Sequence, residues 1–253
     1  MSVKTLYLAW ESKQPGPAWY PVGRLDADVE KPLYRFRYTG GAKRAQDAAG
    51  FPLLMEFPSL TKDYKASKMF PLFHNRVMNS KRPEYAAHLL NLGLTEDANP
   101  VEILAINGGR RVTDAYEVFP KIEKTASGAF TCRFFLHGWR YVNQSALERV
   151  KQLKENEQLY LTLEMANPTT KRAVQIQTMD YHMIGWVPRY LVHDLFAALT
   201  DDHKYSARVV RVNSANVPTA PPIPHDLRIL IEMKGRWRNH DPMDTKDYQP
   251  LVC

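Results

Sequence analysis

Ile184-Gly185-Trp186-Val187-Pro188-Arg189-Tyr190-Leu191 decides the reading of this chain. The stretch reads as a strand end, a glycine turn and a helix opened by Pro188 at its first position. A helix start leaves backbone N–H groups unpaired and carries partial positive charge, so it can hold a phosphate. Arg189 stands in that first turn, with Trp186 and Tyr190 beside it. A cation and flat rings at one anion-ready place suit a nucleotide: charge for the phosphate, rings for base or sugar. The same residues also fit a plain strand-to-helix corner whose aromatics belong to the core.

Working upstream, Phe134 to Val142 reads as a strand with Gly138 marking a bulge or a close backbone approach, and it ends in a second Arg-Tyr pair, Arg140-Tyr141. A helix is expected from Ser145 to about Asn156, with Ser145 and Glu148 as a capping box and Leu147, Val150 and Leu153 as its apolar stripe. Gln158 to Met165 alternates as a strand, Asn167-Pro168 makes a turn, and Ala173 to Gln177 is the returning strand. After the Pro188 helix come two more strands, Ala207 to Val212 and Leu227 to Met233.

In order, the pattern is strand, G-W-R-Y, helix, strand, A-N-P-x-x-x-x-A, strand, I-G-W-V-P-R-Y-L, helix, strand, strand. This resembles the HIRAN domain over roughly Phe130 to Arg236. The resemblance implies a small β-barrel related to the OB fold, with two helices. It also implies binding of single-stranded DNA; eukaryotic members capture its 3′ end. Carried over by position, Arg140 and Tyr141 would meet the terminal nucleotide, Asn167 falls in the asparagine-proline turn, and Arg189 takes the phosphate-contacting place. Lys171, Trp186 and Tyr190 complete the expected nucleic-acid-binding set. One departure bears on end selection. The eukaryotic pattern continues Asn-Pro with Tyr-Asp, whereas this chain has Thr169-Thr170. Threonine cannot stack on a base, and its hydroxyl accepts more weakly than a carboxylate. Trp186 or Tyr190 would have to supply the stacking surface.

The N-terminal half has a different texture. Thr5 to Trp10, Val22 to Leu25 and Tyr34 to Tyr38 read as strands, the last with Tyr34, Phe36 and Tyr38 on one face and Arg35 and Arg37 on the other. Pro83 opens a helix carrying Tyr85, Leu89 and Leu92, and Asn99-Pro100-Val101-Glu102 is a capped helix start that runs to Gly108-Gly109. Val22-Gly23-Arg24-Leu25, Met69 to Arg76 and the Leu92–Ala105 region resemble the N-terminal subdomain of HipA-type toxin kinases. That likeness implies a partner-binding platform without catalytic residues; a plain α+β support is the other reading. The expected class is thus α+β, with an α+β domain over residues 1–122, an OB-like barrel over 130–236 and an irregular tail over 237–253 with Trp237 and Tyr248 as docking points.

Composition narrows the functions. The 253 residues carry a net charge of +7, which favours an acidic partner, and the excess is spread over both halves. Cys132 and Cys253 make neither a disulfide framework nor a CxxC zinc pattern, and Cys132 sits in an apolar strand as a buried thiol. The start of the chain lacks a signal peptide and no run is long enough to cross a membrane, so the expectation is a cytoplasmic protein. Leu230-Ile231-Glu232-Met233-Lys234, preceded by Asp226, offers an E-x-K like that of PD-(D/E)xK nucleases. Against it, Asp226 and Glu232 would stand at opposite ends of one strand, about 20 Å apart. His137 reads as a core histidine beside Gly138, and His182, His193, His225 and His240 show no metal-ligand spacing. Neither a metal nor a cofactor is expected. The reading that emerges is a non-catalytic adaptor that binds single-stranded DNA or DNA ends, beside a helicase, nuclease or other protein partner. An antitoxin-like regulatory subunit acting through the N-terminal half is the competing reading, and a Mg²⁺-dependent nuclease is the third.

Overall fold

The computed structural model describes residues 3–13, 18–201, 204–213 and 225–252. In chain order the elements are β1 (Val3–Glu11), β2 (Trp19–Asp28), β3 (Leu33–Tyr38), α1 (Gly40–Ala49), β4 (Tyr64–Ala66), α2 (Pro71–His74), α3 (Tyr85–Asn91), α4 (Pro100–Asn107), β5 (Tyr116–Pro120), β6 (Ala129–Phe135), α5 (Gln144–Lys151), β7 (Gln158–Asn167), β8 (Lys171–Thr178), β9 (Met183–Trp186), α6 (Arg189–Asp201), β10 (Ser206–Val212) and β11 (Ile229–Arg236). The fold is α+β, as expected. The proline-rich stretch with Pro218, Pro221, Pro222 and Pro224, expected as a loop, lies outside the described residues, as does Cys253. Among the described residues no helix is long and apolar enough to cross a membrane.

The chain divides into two compact units. The first comprises residues up to Arg82, Asp97–Lys121 and the segment from Met243; the second comprises Pro83–Glu96 and Ile122–Pro242. These boundaries differ from the expected ones in two places, each for a packing reason. In the second unit, α3 buries Leu89, and the backbone at Gly93 passes so near Leu230 that a Cβ there would lie 3.1 Å from its side chain. Asn213 Nδ2 also donates to the Asn91 carbonyl at 2.8 Å. In the first unit, the segment from Met243 is anchored rather than loose. Gly40 and Gly41 N–H groups donate to the carbonyls of Gln249 and Asp247, and Tyr248 meets the edge of the Tyr7 ring at 5.0 Å.

The first unit is an antiparallel sheet in the order β4-β3-β2-β1-β5. Its core follows from alternation: Phe36 and Tyr38 point inward on β3, with Phe57 stacked on Phe36 at 3.9 Å. The opposite face of β3 is ionic, with Arg35 on Asp63 and Arg37 on Asp26. α4 has the expected capping box. Asn99 Oδ1 accepts from the N–H groups of Val101 and Glu102, and Glu102 reaches back to the Asn99 N–H.

The second unit is a six-stranded antiparallel sheet in the order β6-β11-β10-β7-β8-β9. Its outermost strands meet. Just past β6, His137 exchanges two 2.9 Å backbone hydrogen bonds with Trp186 at the end of β9. That bridge closes the sheet on itself, which removes the open edges that strands otherwise expose. Leu159, Leu161, Val174 and Ile176 fill the interior with Val209, Ile231 and Met233. Trp237 docks the chain after β11: it is fully buried, stacked on Phe130 at 3.8 Å, and its Nε1 donates to the Asp194 carbonyl.

Two local expectations are corrected here. The strand read through Gly138 to Val142 stops at Phe135, and Trp139–Tyr141 form a 3-10 turn. The cause is Gly138, whose φ of 67° turns the backbone into the left-handed region that ends a strand. The cap of α5 is Asn143, whose Oδ1 accepts from the Ala146 N–H at 2.8 Å, so the helix begins before Ser145. Glu148 instead takes bonds from Gln144 and Lys151 on the exposed face.

Candidate nucleic-acid interface

The motifs that lie far apart in sequence converge on Trp186. Its backbone is fixed by the bridge to His137. Its ring lies over Gly138, where a Cβ would come within 2.5 Å of the indole. Only glycine fits under that ring, so the residue that turns the chain into Trp139-Arg140-Tyr141 also seats the tryptophan. The ring edge is held as well. Trp186 Nε1 donates to Glu164 Oε2 at 2.8 Å, and the same oxygen accepts from Asn167 Nδ2 at 3.1 Å.

Glu164 was not among the sequence-derived site residues, and it is the group that joins two of them. Burial opposes its charge, yet hydrogen bonds from Trp186, Asn167 and Gln175 outweigh that and hold its carboxyl below the usual carboxylate range. It therefore carries a full negative charge near neutral pH. A sequence reader had one cue, an acidic residue three places before the Asn167 turn. The partner across the sheet appears only once the register is known.

Asn167 organises the β7–β8 turn rather than facing outward with all its atoms. Its Oδ1 accepts from the N–H groups of Thr169 and Thr170 and from the Thr170 hydroxyl, each at 3.0 Å. Lys171 pairs opposite Asn167 at a φ of 65° and is exposed. Beside it, the exposed Arg172 lies over the Phe196 ring of α6 at 5.8 Å.

Arg140 and Tyr141 project from the 3-10 turn. Tyr141 is 77% exposed, and the Arg140 guanidinium lies over its ring at 5.7 Å. Behind them, Trp139 is covered by the Arg228 guanidinium at 5.4 Å. Arg189 and Tyr190 begin α6 and are half-buried. Pro188 stands just before the helix rather than inside it, with its carbonyl accepting from the Leu191 N–H. The structure thus links Arg140-Tyr141, Asn167 and Trp186 through Gly138 and Glu164. It places Lys171 on the same turn as Asn167, and Arg189 and Tyr190 three and four residues beyond Trp186.

A further aromatic pair extends the outer face of this sheet. Tyr160↔Gln177 and Thr162↔Gln175 are directly paired, and Gln175 pairs with Trp186, so all five side chains share one face. At its far end Tyr160 stacks on Tyr181 at 5.9 Å with the rings 13° apart, and Tyr181 is 76% exposed. Tyr181 sits in a turn at a φ of 65°, steadied by Arg149 on Asp180 and by His182 Nε2 against Ser145 Oγ.

The E-x-K residue is differently employed. Glu232 pairs with Arg133 at 2.8 Å and with Arg208 at 2.9 Å. Burial opposes its charge, but the two guanidiniums outweigh it and depress the carboxyl's pKa. Two fixed cations at the carboxylate oxygens compete directly with a Mg²⁺ ion. Cys132, beneath this strand, is a buried free thiol pushed up to about 12 by burial and by the Glu232 charge.

A family comparison bears on the second unit. Residues 129–237 match the model of the HIRAN domain. That match lies within the second unit, and the HipA resemblance rests on the sequence alone. No curated protein matches the chain. Among solved structures, a protein from Lactobacillus plantarum aligns at 15% identity over 44% of this chain and 100% of its own, with a TM-score of 0.32. The HIRAN domain of human HLTF aligns at 16% identity over 46% of this chain and 84% of its own, with a TM-score of 0.29.

Proposed function

We propose that the HIRAN domain at residues 129–237 binds single-stranded DNA or DNA ends at the surface gathered around Trp186, and that the chain works as a non-catalytic adaptor. The observation that carries this reading is the seating of Trp186 on Gly138, beside an exposed Arg140-Tyr141 pair. It joins a cation and open rings on one rigid scaffold, which is the requirement for gripping a strand without reading its sequence. Arg140, Lys171 and Arg189 supply phosphate contacts. Tyr141 supplies a base-stacking ring, and the Tyr160–Tyr181 pair offers a further one along the strand face. Glu164 sets the orientation of Trp186 and repels phosphate from the Nε1 edge of the indole. The overall charge of +7 favours the encounter.

The adaptor role draws support from the architecture. A second compact unit of comparable size accompanies the DNA-binding domain and leaves it a separate surface for a helicase, nuclease or other protein of a DNA-processing or anti-phage defence assembly. The Arg133–Glu232–Arg208 ion-pair ladder weighs against the nuclease reading.

Fluorescence anisotropy with short labelled oligonucleotides tests the proposal. Single strands with free and with blocked 3′ ends are compared with a duplex at two salt concentrations. Salt-sensitive binding of single strands is expected, weakened by Arg140→Ala and Arg189→Ala with a shallower salt dependence. Binding that ignores salt, or that survives the double substitution unchanged, overturns it. Loss of affinity on blocking the 3′ end would assign end capture; indifference would assign a general strand binder.

A further inference from the structure

One turn beyond Arg189 and Tyr190 on α6 stand His193 and Asp194; with His240, which follows β11, their ligating atoms all fall within 4.8 Å of one another. We infer that these three side chains form a binding site for a zinc-class divalent cation. Spacing concealed it, because His193 and Asp194 stand on α6 while His240 follows β11. They are brought together by Trp237, whose stacking on Phe130 and Nε1 bond to the Asp194 carbonyl fix the chain three residues before His240.

The geometry is half assembled. His240 Nε2 and Asp194 Oδ1 are 2.7 Å apart, and the His193 ring meets the His240 ring edge-on at 5.7 Å between centroids. Ligands held at about 2.0–2.1 Å in a tetrahedral site stand about 3.4 Å from one another. Binding therefore replaces one hydrogen bond by two coordination bonds and needs a rotation of His193, which is exposed and free to swing at its Cα–Cβ bond. Asp194 is 1% exposed, so its carboxylate is already fixed in direction and shielded from water. The nearby Lys124 is paired with Asp241, which leaves its charge offset.

The donor set selects the ion. Two imidazoles with one carboxylate suit Zn²⁺, Co²⁺ or Ni²⁺, whereas Mg²⁺ and Ca²⁺ prefer all-oxygen shells. Three protein ligands leave a fourth position on the exposed His193 side, open to water or an anion. The bound ion would clamp the Trp237–Pro242 segment onto α6.

Calorimetric titration of the tag-free, chelator-treated full chain with Zn²⁺ provides the test, with Co²⁺ absorption as a second readout. One equivalent of Zn²⁺ should bind, Co²⁺ should give visible bands of a tetrahedral site, and Mg²⁺ should do neither. His193→Ala touches an exposed residue and should leave the circular dichroism unchanged. It should weaken Zn²⁺ at least about tenfold, the lower end for losing even a second-shell partner. Absence of stoichiometric Zn²⁺ binding overturns the inference. So does Zn²⁺ binding that His193→Ala leaves unchanged, since it would come from other histidines and reduce His240–Asp194 to a structural hydrogen bond. The Zn²⁺ and Co²⁺ readouts need no DNA, and Arg140→Ala, which tests the strand surface, touches none of the three ligands, so the two proposals fail separately.

Discussion

Replacing Gly138 by alanine tests the seat of Trp186. Two costs combine. The residue has a φ of 67°, where an L side chain loses about 1–2 kcal/mol. The new Cβ would also lie 2.5 Å from one indole carbon and 2.9 Å from the next. Carbon atoms rest at about 3.5 Å or more, so the ring must retreat by about 1 Å. Overpacking of this kind costs about 1–3 kcal/mol. The total is about 2–5 kcal/mol, or a fall of about 6–15 °C in the unfolding midpoint for a unit of this size. Gly50→Ala isolates the first term, since Gly50 has a φ of 66° and nothing within 4 Å of its would-be Cβ. It should cost only about 1–2 kcal/mol. The assay is equilibrium urea unfolding of the two variants and the parent, followed by far-ultraviolet circular dichroism and tryptophan fluorescence. If Gly138→Ala costs no more than Gly50→Ala, the indole does not rest on Gly138 and the convergence argument fails.

Three further outcomes follow from single groups. Asn167→Ala removes an acceptor of three hydrogen bonds and should destabilise the second unit by about 1–3 kcal/mol, measured by the same urea titration; a change within 0.5 kcal/mol would refute the turn-organising role. Glu164 has a folded-state pKa below its ordinary value of 4.5, so its stabilising contribution is present above pH 4.5 and is lost as pH falls through the depressed value. The indole N–H resonance of Trp186 should therefore stay fixed from neutral pH to about 4.5 and move below it, and a midpoint above 4.5 would contradict the assignment. In a Cys253→Ser protein, Cys132 should resist a thiol reagent at pH 8 in the native state and react fully in denaturant, because its pKa lies near 12 and it is buried; prompt native labelling would show the strand to be open.

What could be read in advance followed the range of the interaction. The Asn99 capping box is complete within four residues, and both of its bonds are present. Alternation on β3 sorted Phe36 and Tyr38 inward and Arg35 and Arg37 outward, because a strand's faces are set by local geometry. Where two local signals competed, sequence alone chose badly: Ser145 and Asn143 are both good caps, and the chain turns at Asn143. Gly138 fitted a bulge as well as a close approach, and only the contact with Trp186 decides for the latter. Residues whose role depends on a distant partner were out of reach. Trp237 read as part of a tail because Phe130 and Asp194, its neighbours in space, are far off in sequence. Glu164 had no motif of its own until strand pairing placed it and Trp186 on one face, on either side of β8. The second unit's ordered motifs, by contrast, carried the HIRAN resemblance because each sits on its own element, and the family match covers the same region.

The central claim is that a nucleic-acid strand lies on the surface around Trp186. Photo-crosslinking tests it most directly, using an oligonucleotide in which single thymines are replaced by 5-iodouracil, followed by mass-spectrometric identification of the joined peptide. Adducts on Tyr141 or Trp186 are predicted, with Tyr160 or Tyr181 appearing as the label moves along the strand. Adducts confined to residues 3–121, or none under conditions where anisotropy shows binding, would contradict the account.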